Sequence, residues 1–130
     1  MAYVLTTGVL KKHVRTDLAI VEYVNYSNRR IRVLFRVIDW TNRRRRVIHS
    51  DTNTIRPGRN DSQAATLASR VVRYEIEITV MDSIADKKKN QFIINCFGKR
   101  GGFEEVEPLN TPLFEGNTVL YKDLVLKRAK

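Results

Sequence analysis

The sequence predicts an all-β fold whose antiparallel strands form either a two-sheet sandwich or a barrel. Apolar and polar residues alternate with a period of two along most of the chain, whereas helical periodicity is nearly absent. Turn-forming residues separate these segments at a spacing of roughly ten residues, which indicates about six or seven strands. The 130 residues suffice for one domain with its own core.

The first half of the chain contains two clear strands. The segments "DLAIVEYVN" and "RRIRVLFRVIDW" are joined by the short turn "NYSN", which predicts a hairpin. "RRVIHS" follows as a weaker strand, and residues 51–63 are rich in Asn, Asp, Pro and Gly and predict a loop. "AATLAS" fits either a strand or a short helix capped by Asp61 or Ser62.

The second half contains the strongest alternation. In residues 71–82 the apolar positions alternate with Arg73, Glu75, Glu77 and Thr79, which predicts a sheet with one solvent-exposed face. "QFIINCF" alternates little, as a more central strand does. After a loop at 98–117, "TVLYKDLVLK" closes the domain.

The N-terminal segment, residues 1–16, stands apart from the domain predicted at 17–130, because the polar "KKHVRTD" separates the two. Two arrangements remain open for it: a first strand of the same sandwich, or an extended arm that pairs with another subunit. The residues that would make such an intersubunit contact are Tyr3, Val4, Leu5, Val9 and Leu10. The chain has neither a signal-peptide pattern nor a membrane-span pattern, so we expect synthesis in the cytoplasm and no membrane partner.

The net charge of +10 favours an anionic polymer or an acidic partner. Ten arginines lie between Arg29 and Arg59, and a nucleic-acid module would use Arg30, Arg32, Arg36, Arg43, Arg44, Arg45 and Arg46 with Lys87, Lys88 and Lys89. Acidic residues concentrate elsewhere, at Glu104, Glu105 and Glu107. A molecule with two oppositely charged surfaces can pair head to tail, and such pairing gives filaments when it does not close into a ring.

The aromatic residues weaken the nucleic-acid hypothesis. Phe35 and Tyr74 are predicted to point into the core, so only Trp40, Tyr26 and Tyr23 could stack on bases. The apolar Leu34 and Ile38 lie between the strand arginines and favour a protein contact there. A glycan-binding or small-ligand sandwich is a third hypothesis, supported only by Trp40 and the long loops.

Patterns typical of catalysis are absent from the sequence. His13 and His49 lie in separate segments without ligands at metal-binding spacing. Glu75 and Glu77 could act as paired carboxylates, but Arg73 beside them favours an exposed charge ladder. We therefore expect no enzyme activity, no metal and no cofactor.

Two further features, a lone cysteine and a glycine-rich basic loop, do not favour one of these functions over another. Cys96 lies in an apolar strand and is predicted to be a small buried hydrophobe, since a lone cysteine forms no intrachain disulfide. The basic "GKRGG" loop could bind an anion through its backbone, although a turn with positive φ explains its glycines equally well.

The order "VNYSNRRIRVLFRVIDW", "VRYEIEI", "FIINCFG" and "GNTVLYKDLV" resembles small β-sandwich proteins of spore-forming bacteria, among them the fibre subunits of endospore appendages. The resemblance covers residues 17–127. It implies a jelly-roll-like sandwich of about seven to eight strands. It also implies an N-terminal arm that contacts the next subunit. Related arms carry cysteines that link subunits covalently, whereas "MAYVLTTGVLKK" has none.

The leading hypothesis is thus a structural homopolymer subunit of a fibre on the spore surface. The arm and the complementary charged faces would join subunits head to tail, and other surface-structure proteins could co-assemble. The alternative is a basic β-barrel module that binds nucleic acid in the cytoplasm.

Overall fold

The computed structural model describes residues 2–82, 91–99 and 118–129 and confirms the all-β class. These residues form two antiparallel sheets and a short 3-10 helix, Tyr121–Asp123, and they include no helix long and apolar enough to cross a membrane. The strands are β1 (Tyr3–Thr6), β2 (Leu10–Lys11), β3 (Leu18–Asn25), β4 (Ile31–Asp39), β5 (Arg46–Ile55), β6 (Asn60–Thr66), β7 (Arg73–Val80), β8 (Phe92–Lys99), β9 (Thr118–Val119) and β10 (Val125–Ala129).

The two sheets face each other across one core. The six-stranded sheet has the order β10-β1-β7-β4-β5, with β2 also paired to β7, and the four-stranded sheet has the order β6-β3-β8-β9. The inward faces meet in an apolar cluster whose largest members include Tyr23, Phe35, Tyr74 and Phe92. The rings of Tyr23 and Phe92 stack with their centroids 5.7 Å apart.

The predicted hairpin between "DLAIVEYVN" and "RRIRVLFRVIDW", which form β3 and β4, is wrong. β3 pairs with β6 and β8, whereas β4 pairs with β5 and β7 in the other sheet. The apolar residues of each strand pack into the core against the opposite sheet, so β3 and β4 face each other instead of pairing side by side. Asn25 stabilises the connection, since its buried Nδ2 donates to the carbonyls of Arg29 (2.8 Å) and Ile55 (2.9 Å).

The predicted loop at 51–63 is mostly strand. β5 continues to Ile55 and β6 begins at Asn60, so only residues 56–59 form the turn between them. Their polar side chains suit strands at the edges of the two sheets, where most of them reach solvent. The segment "AATLAS", which fits either a strand or a short helix by its sequence, is strand up to Thr66, where β6 ends.

The N-terminal segment adopts the first of its two arrangements in this single chain. β1 is an interior strand of the six-stranded sheet, paired with β7 on one side and β10 on the other. Its apolar residues fill the sheet, since Leu5 is 0% and Val4 is 1% exposed. The segment therefore does not lie apart from the sandwich, as an extended arm would. A role between subunits stays a prediction.

Gly98 in β8 packs closely against Thr16 and Tyr74. A Cβ atom at this position would be 2.8 Å from Thr16 Cγ2 and 3.1 Å from the Tyr74 hydroxyl, closer than ordinary van der Waals contact. We expect Gly98→Ala to lower the free energy of unfolding by roughly 1–2 kcal/mol, because the added methyl overpacks the site. Urea unfolding measures the change.

Ser50→Thr adds the same methyl group on exposed β5 and is the matched control, with an expected change within about 0.5 kcal/mol. Equal stability of Gly98→Ala and wild type would contradict the close packing at this position.

Candidate assembly surfaces

The five residues predicted to form the arm do not share one environment. Leu5 lies in the core, and Tyr3 and Leu10 pack against it. Val4 is buried on the other side of β1, away from the core cluster, whereas Val9 is 52% exposed in the connection to β2. Four of the five thus contribute to the sheet of their own chain.

The outer face of the six-stranded sheet contains two buried carboxylates. Glu75 and Glu77 are 4% and 3% exposed, so the predicted exposed charge ladder is wrong. Glu75 accepts hydrogen bonds from Thr6 Oγ1, from Trp40 Nε1 at 2.9 Å and from Lys127 Nζ at 3.3 Å. Groups from β1, β10 and the end of β4 thereby converge on one carboxylate of β7.

Three cations surround Glu77. Lys127 Nζ lies 2.7 Å from one carboxylate oxygen, and guanidinium nitrogens of Arg36 and Arg45 lie 3.7 Å from the other. A buried carboxylate needs such partners, because an unpaired charge is strongly destabilised away from water. Two of the arginines predicted to face a neighbour therefore neutralise a charge within their own chain.

The charges of this cluster stabilise one another. Burial raises the pKa of the Glu75 carboxyl, but hydrogen bonds from Thr6 and Trp40 and the Lys127 ammonium outweigh it, so the pKa lies below its ordinary value. The hydrogen bond to Glu77, opposed by partial desolvation, raises the pKa of Lys127. Both groups are thus held in their charged forms at neutral pH.

The other predicted arginines lie at the surface. Arg32 is exposed and paired with Asp82, whose carboxylate oxygen is 2.9 Å from the guanidinium. That hydrogen bond holds the pKa of Asp82 below its usual range. Among the arginines predicted for a charged face, four are exposed and have no carboxylate within ion-pair distance in the described segments: Arg30, Arg43, Arg44 and Arg46. Glu104, Glu105, Glu107 and Lys87, Lys88 and Lys89 lie outside the described residues.

Two of the three aromatic residues proposed for base stacking form hydrogen bonds within the fold. Tyr23 is fully buried and its hydroxyl donates to Gln63 Oε1 at 2.6 Å, contrary to the prediction that it could stack on a base. Trp40 is half-buried and bonded to Glu75, and only Tyr26 is largely exposed, at 66%. Ile38, predicted to face outward for a protein contact, is fully buried within its own chain.

Cys96 is buried, as predicted, and burial raises the pKa of its thiol to about 12. His13 Nδ1 accepts a hydrogen bond from the backbone of Arg15, whereas His49 packs against the ring of Phe35. The described segments contain no group of three His, Cys, Asp or Glu side chains that could hold a metal ion.

Sequence reasoning did not find Thr6, Trp40 and Lys127 as partners of Glu75. The only available signal was the pair of glutamates flanked by apolar residues on the same strand, and that pattern is also typical of an exposed face.

The described part of the chain is an antiparallel two-sheet protein with a buried ionic cluster on one outer face. No protein-family model matches it, and neither a curated protein nor a solved structure is detectably similar.

Proposed function

We propose that the protein is a structural subunit that assembles with copies of itself into an extracellular fibre, each subunit receiving β1 from a neighbour. The observation that carries the proposal is the position of β1. It is the first strand of the sequence, yet it lies inside the sheet, held on both sides by strands that come much later. Without β1, the sheet would have a gap between β7 and β10.

Exchange of this strand between subunits would preserve its native contacts. The same four-residue pairing with β7, the same burial of Leu5 and the same bond from Thr6 to Glu75 would form with a sister chain. Exchange of an identical element is a low-cost route to assembly, because no new interface has to be created. When each subunit donates to the next, the contact is heterologous and continues along a fibre.

The exposed charges support a second contact between subunits. Arg30, Arg43, Arg44 and Arg46 are available to an acidic partner surface, and the acidic residues Glu104, Glu105 and Glu107 of the next subunit supply the complementary charge. The resemblance to endospore appendage subunits supports a jelly-roll-like connectivity, an arm role for residues 1–16 and a location on the spore surface.

A disulfide that fixes β1 in its own chain tests the exchange. Val4 and Thr79 are direct partners across β1 and β7, so cysteines at these positions, in a Cys96→Ala background, lie at a suitable separation. We expect the oxidised monomer, verified by non-reducing electrophoresis, to form no polymers in negative-stain electron microscopy. Reduction should restore them.

The matched control joins β4 to β5 through Leu34→Cys and Thr52→Cys, which are also direct partners but belong to strands that stay in place. This variant should polymerise like wild type. Polymers from the oxidised β1-locked variant would refute strand exchange, and a wild type that remains monomeric at all concentrations would refute self-assembly.

A nucleic-acid-binding module is the second candidate, favoured by the same four exposed arginines and the net charge of +10. Such binding would rely on phosphate contacts, since Tyr23 and Trp40 are engaged within the fold. Monomeric wild type that binds oligonucleotides with an affinity falling steeply with salt would favour this function.

A further inference from the structure

A polar depression lies beside the turn that carries the chain from one sheet to the other. Its volume is about 310 Å³, at the lower end of the range of small-molecule sites. The turn joins β5 to β6, at the edge of the sandwich away from β1. The residues that line the depression are Thr54, Ile55, Arg56, Arg59, Asn60 and Asp61.

The turn at 56–59 is held in place by the body of the protein. Asn25 and the turn exchange two backbone hydrogen bonds: Gly58 N to Asn25 O at 2.8 Å, and Asn25 N to Arg59 O at 2.9 Å. Arg59 N also donates to Arg56 O at 3.2 Å, and Gly58 has a positive φ of 70° that suits glycine. The backbone that carries Arg56 and Arg59 is therefore held in place without a ligand.

The two guanidinium groups have no carboxylate partner among the described residues. Arg32, Arg36 and Arg45, by contrast, each lie within ion-pair distance of an acidic side chain. A planar guanidinium forms paired, charge-assisted hydrogen bonds with phosphate or carboxylate groups. Arg56 and Arg59 thus provide two unused anion-binding groups at one depression.

Asp61 also lines the depression. A site for a simple anion would not include this carboxylate, because its negative charge repels an anion. One of its oxygens accepts from Asn53 Nδ2 at 3.1 Å and the other from the backbone of Ser62 at 2.8 Å. Each carboxylate oxygen has a further lone pair that can accept a hydroxyl hydrogen. Thr54 and Asn60 are further polar residues of the same lining.

We propose that this depression binds an anionic sugar. Arg56 and Arg59 bind its charged group, a phosphate or a carboxylate, and Asp61 with Asn60 accepts hydrogen bonds from its hydroxyl groups. The site is independent of strand exchange, because none of its residues belongs to β1 or contacts it among the described hydrogen bonds and ion pairs.

Calorimetric titration at constant ionic strength tests the site with three probes: glucose 6-phosphate, glucuronate and uncharged glucose. We expect saturable binding of at least one of the two anions, with glucose at least roughly tenfold weaker, since the charge-assisted bonds are missing. The stronger of the two anions identifies the charged group. Absence of saturable binding by both anions would overturn the proposal.

Two double variants with the same charge change separate the site from general attraction to a basic protein. Arg56→Gln with Arg59→Gln should weaken binding roughly tenfold or more. Arg44→Gln with Arg46→Gln removes two exposed arginines outside the depression and should change affinity less than about twofold. Equal losses in both variants would show that binding is not located at the depression.

Asp61→Asn tests the contact with hydroxyl groups. Removing the negative charge should strengthen binding of inorganic phosphate, because a repulsion is lost. The advantage of glucose 6-phosphate over inorganic phosphate should shrink, since an amide accepts hydroxyl hydrogens less strongly than a carboxylate. An unchanged advantage would refute the sugar part of the proposal.

Discussion

Replacement of Leu5 by alanine is expected to lower the free energy of unfolding by about 2–5 kcal/mol. Leu5 is 0% exposed and belongs to the main apolar cluster between the sheets. Truncation removes buried methyl groups and leaves a cavity, because β1 is fixed by pairing on both sides and cannot collapse into the space. Urea unfolding of the monomer measures the loss.

Val9→Ala is the control from the same segment. Its side chain is 52% exposed, so the expected change is within about 0.5 kcal/mol. If both variants were as stable as wild type, residues 3–6 would not complete the fold of their own chain. The result therefore tests whether β1 completes the fold of its own chain in the monomer.

Glu75→Gln is expected to destabilise the protein by about 2–3 kcal/mol near neutral pH. The neutral amide replaces a carboxylate that accepts from Thr6, Trp40 and Lys127, and it leaves the ammonium with Glu77 alone. We expect a loss of stability near the lower end of this range, because the Lys127 side chain is 37% exposed and water weakens its interaction with Glu75. Thermal or urea unfolding measures the change.

The pH dependence of this variant has a defined sign. The pKa of Glu75 is lower in the folded protein than in the unfolded chain, so its contribution is present above the unfolded value of about 4.3. That contribution is lost as the pH falls through the folded pKa. The difference between wild type and Glu75→Gln should therefore shrink in acid.

Glu22→Gln serves as the control for the pH series, because Glu22 is exposed on β3 of the other sheet. This variant should follow the wild-type pH profile closely. A constant difference between wild type and Glu75→Gln across the acid range would show that the carboxylate charge does not stabilise the fold.

The period-two pattern predicted the inward faces of β4 and β7 correctly. Val33, Phe35 and Val37 lie in the core, as do Tyr74 and Ile76, because side-chain direction alternates along any strand. The same pattern could not identify strand partners. β3 and β4 read as a hairpin, although their apolar faces pack across the core from opposite sheets.

Alternation also failed to predict the environment of the outer face. Glu75 and Glu77 do point away from the core, as the pattern requires, but they are covered by side chains from distant parts of the sequence. Lys127 follows Glu75 by more than fifty positions and reaches it only because β10 pairs with β1, which pairs with β7. Burial of this kind depends on the order of strands in the sheet, which local periodicity does not contain.

Cys96 has a consequence for any assembly made from this sequence. The sulfur is enclosed between the sheets, and its thiolate is scarcely populated at neutral pH. A folded subunit therefore offers no accessible sulfhydryl from Cys96 for cross-linking, and an assembly of such subunits would not depend on oxidation of this residue. The durability of such a fibre would depend on how slowly a donated strand is withdrawn.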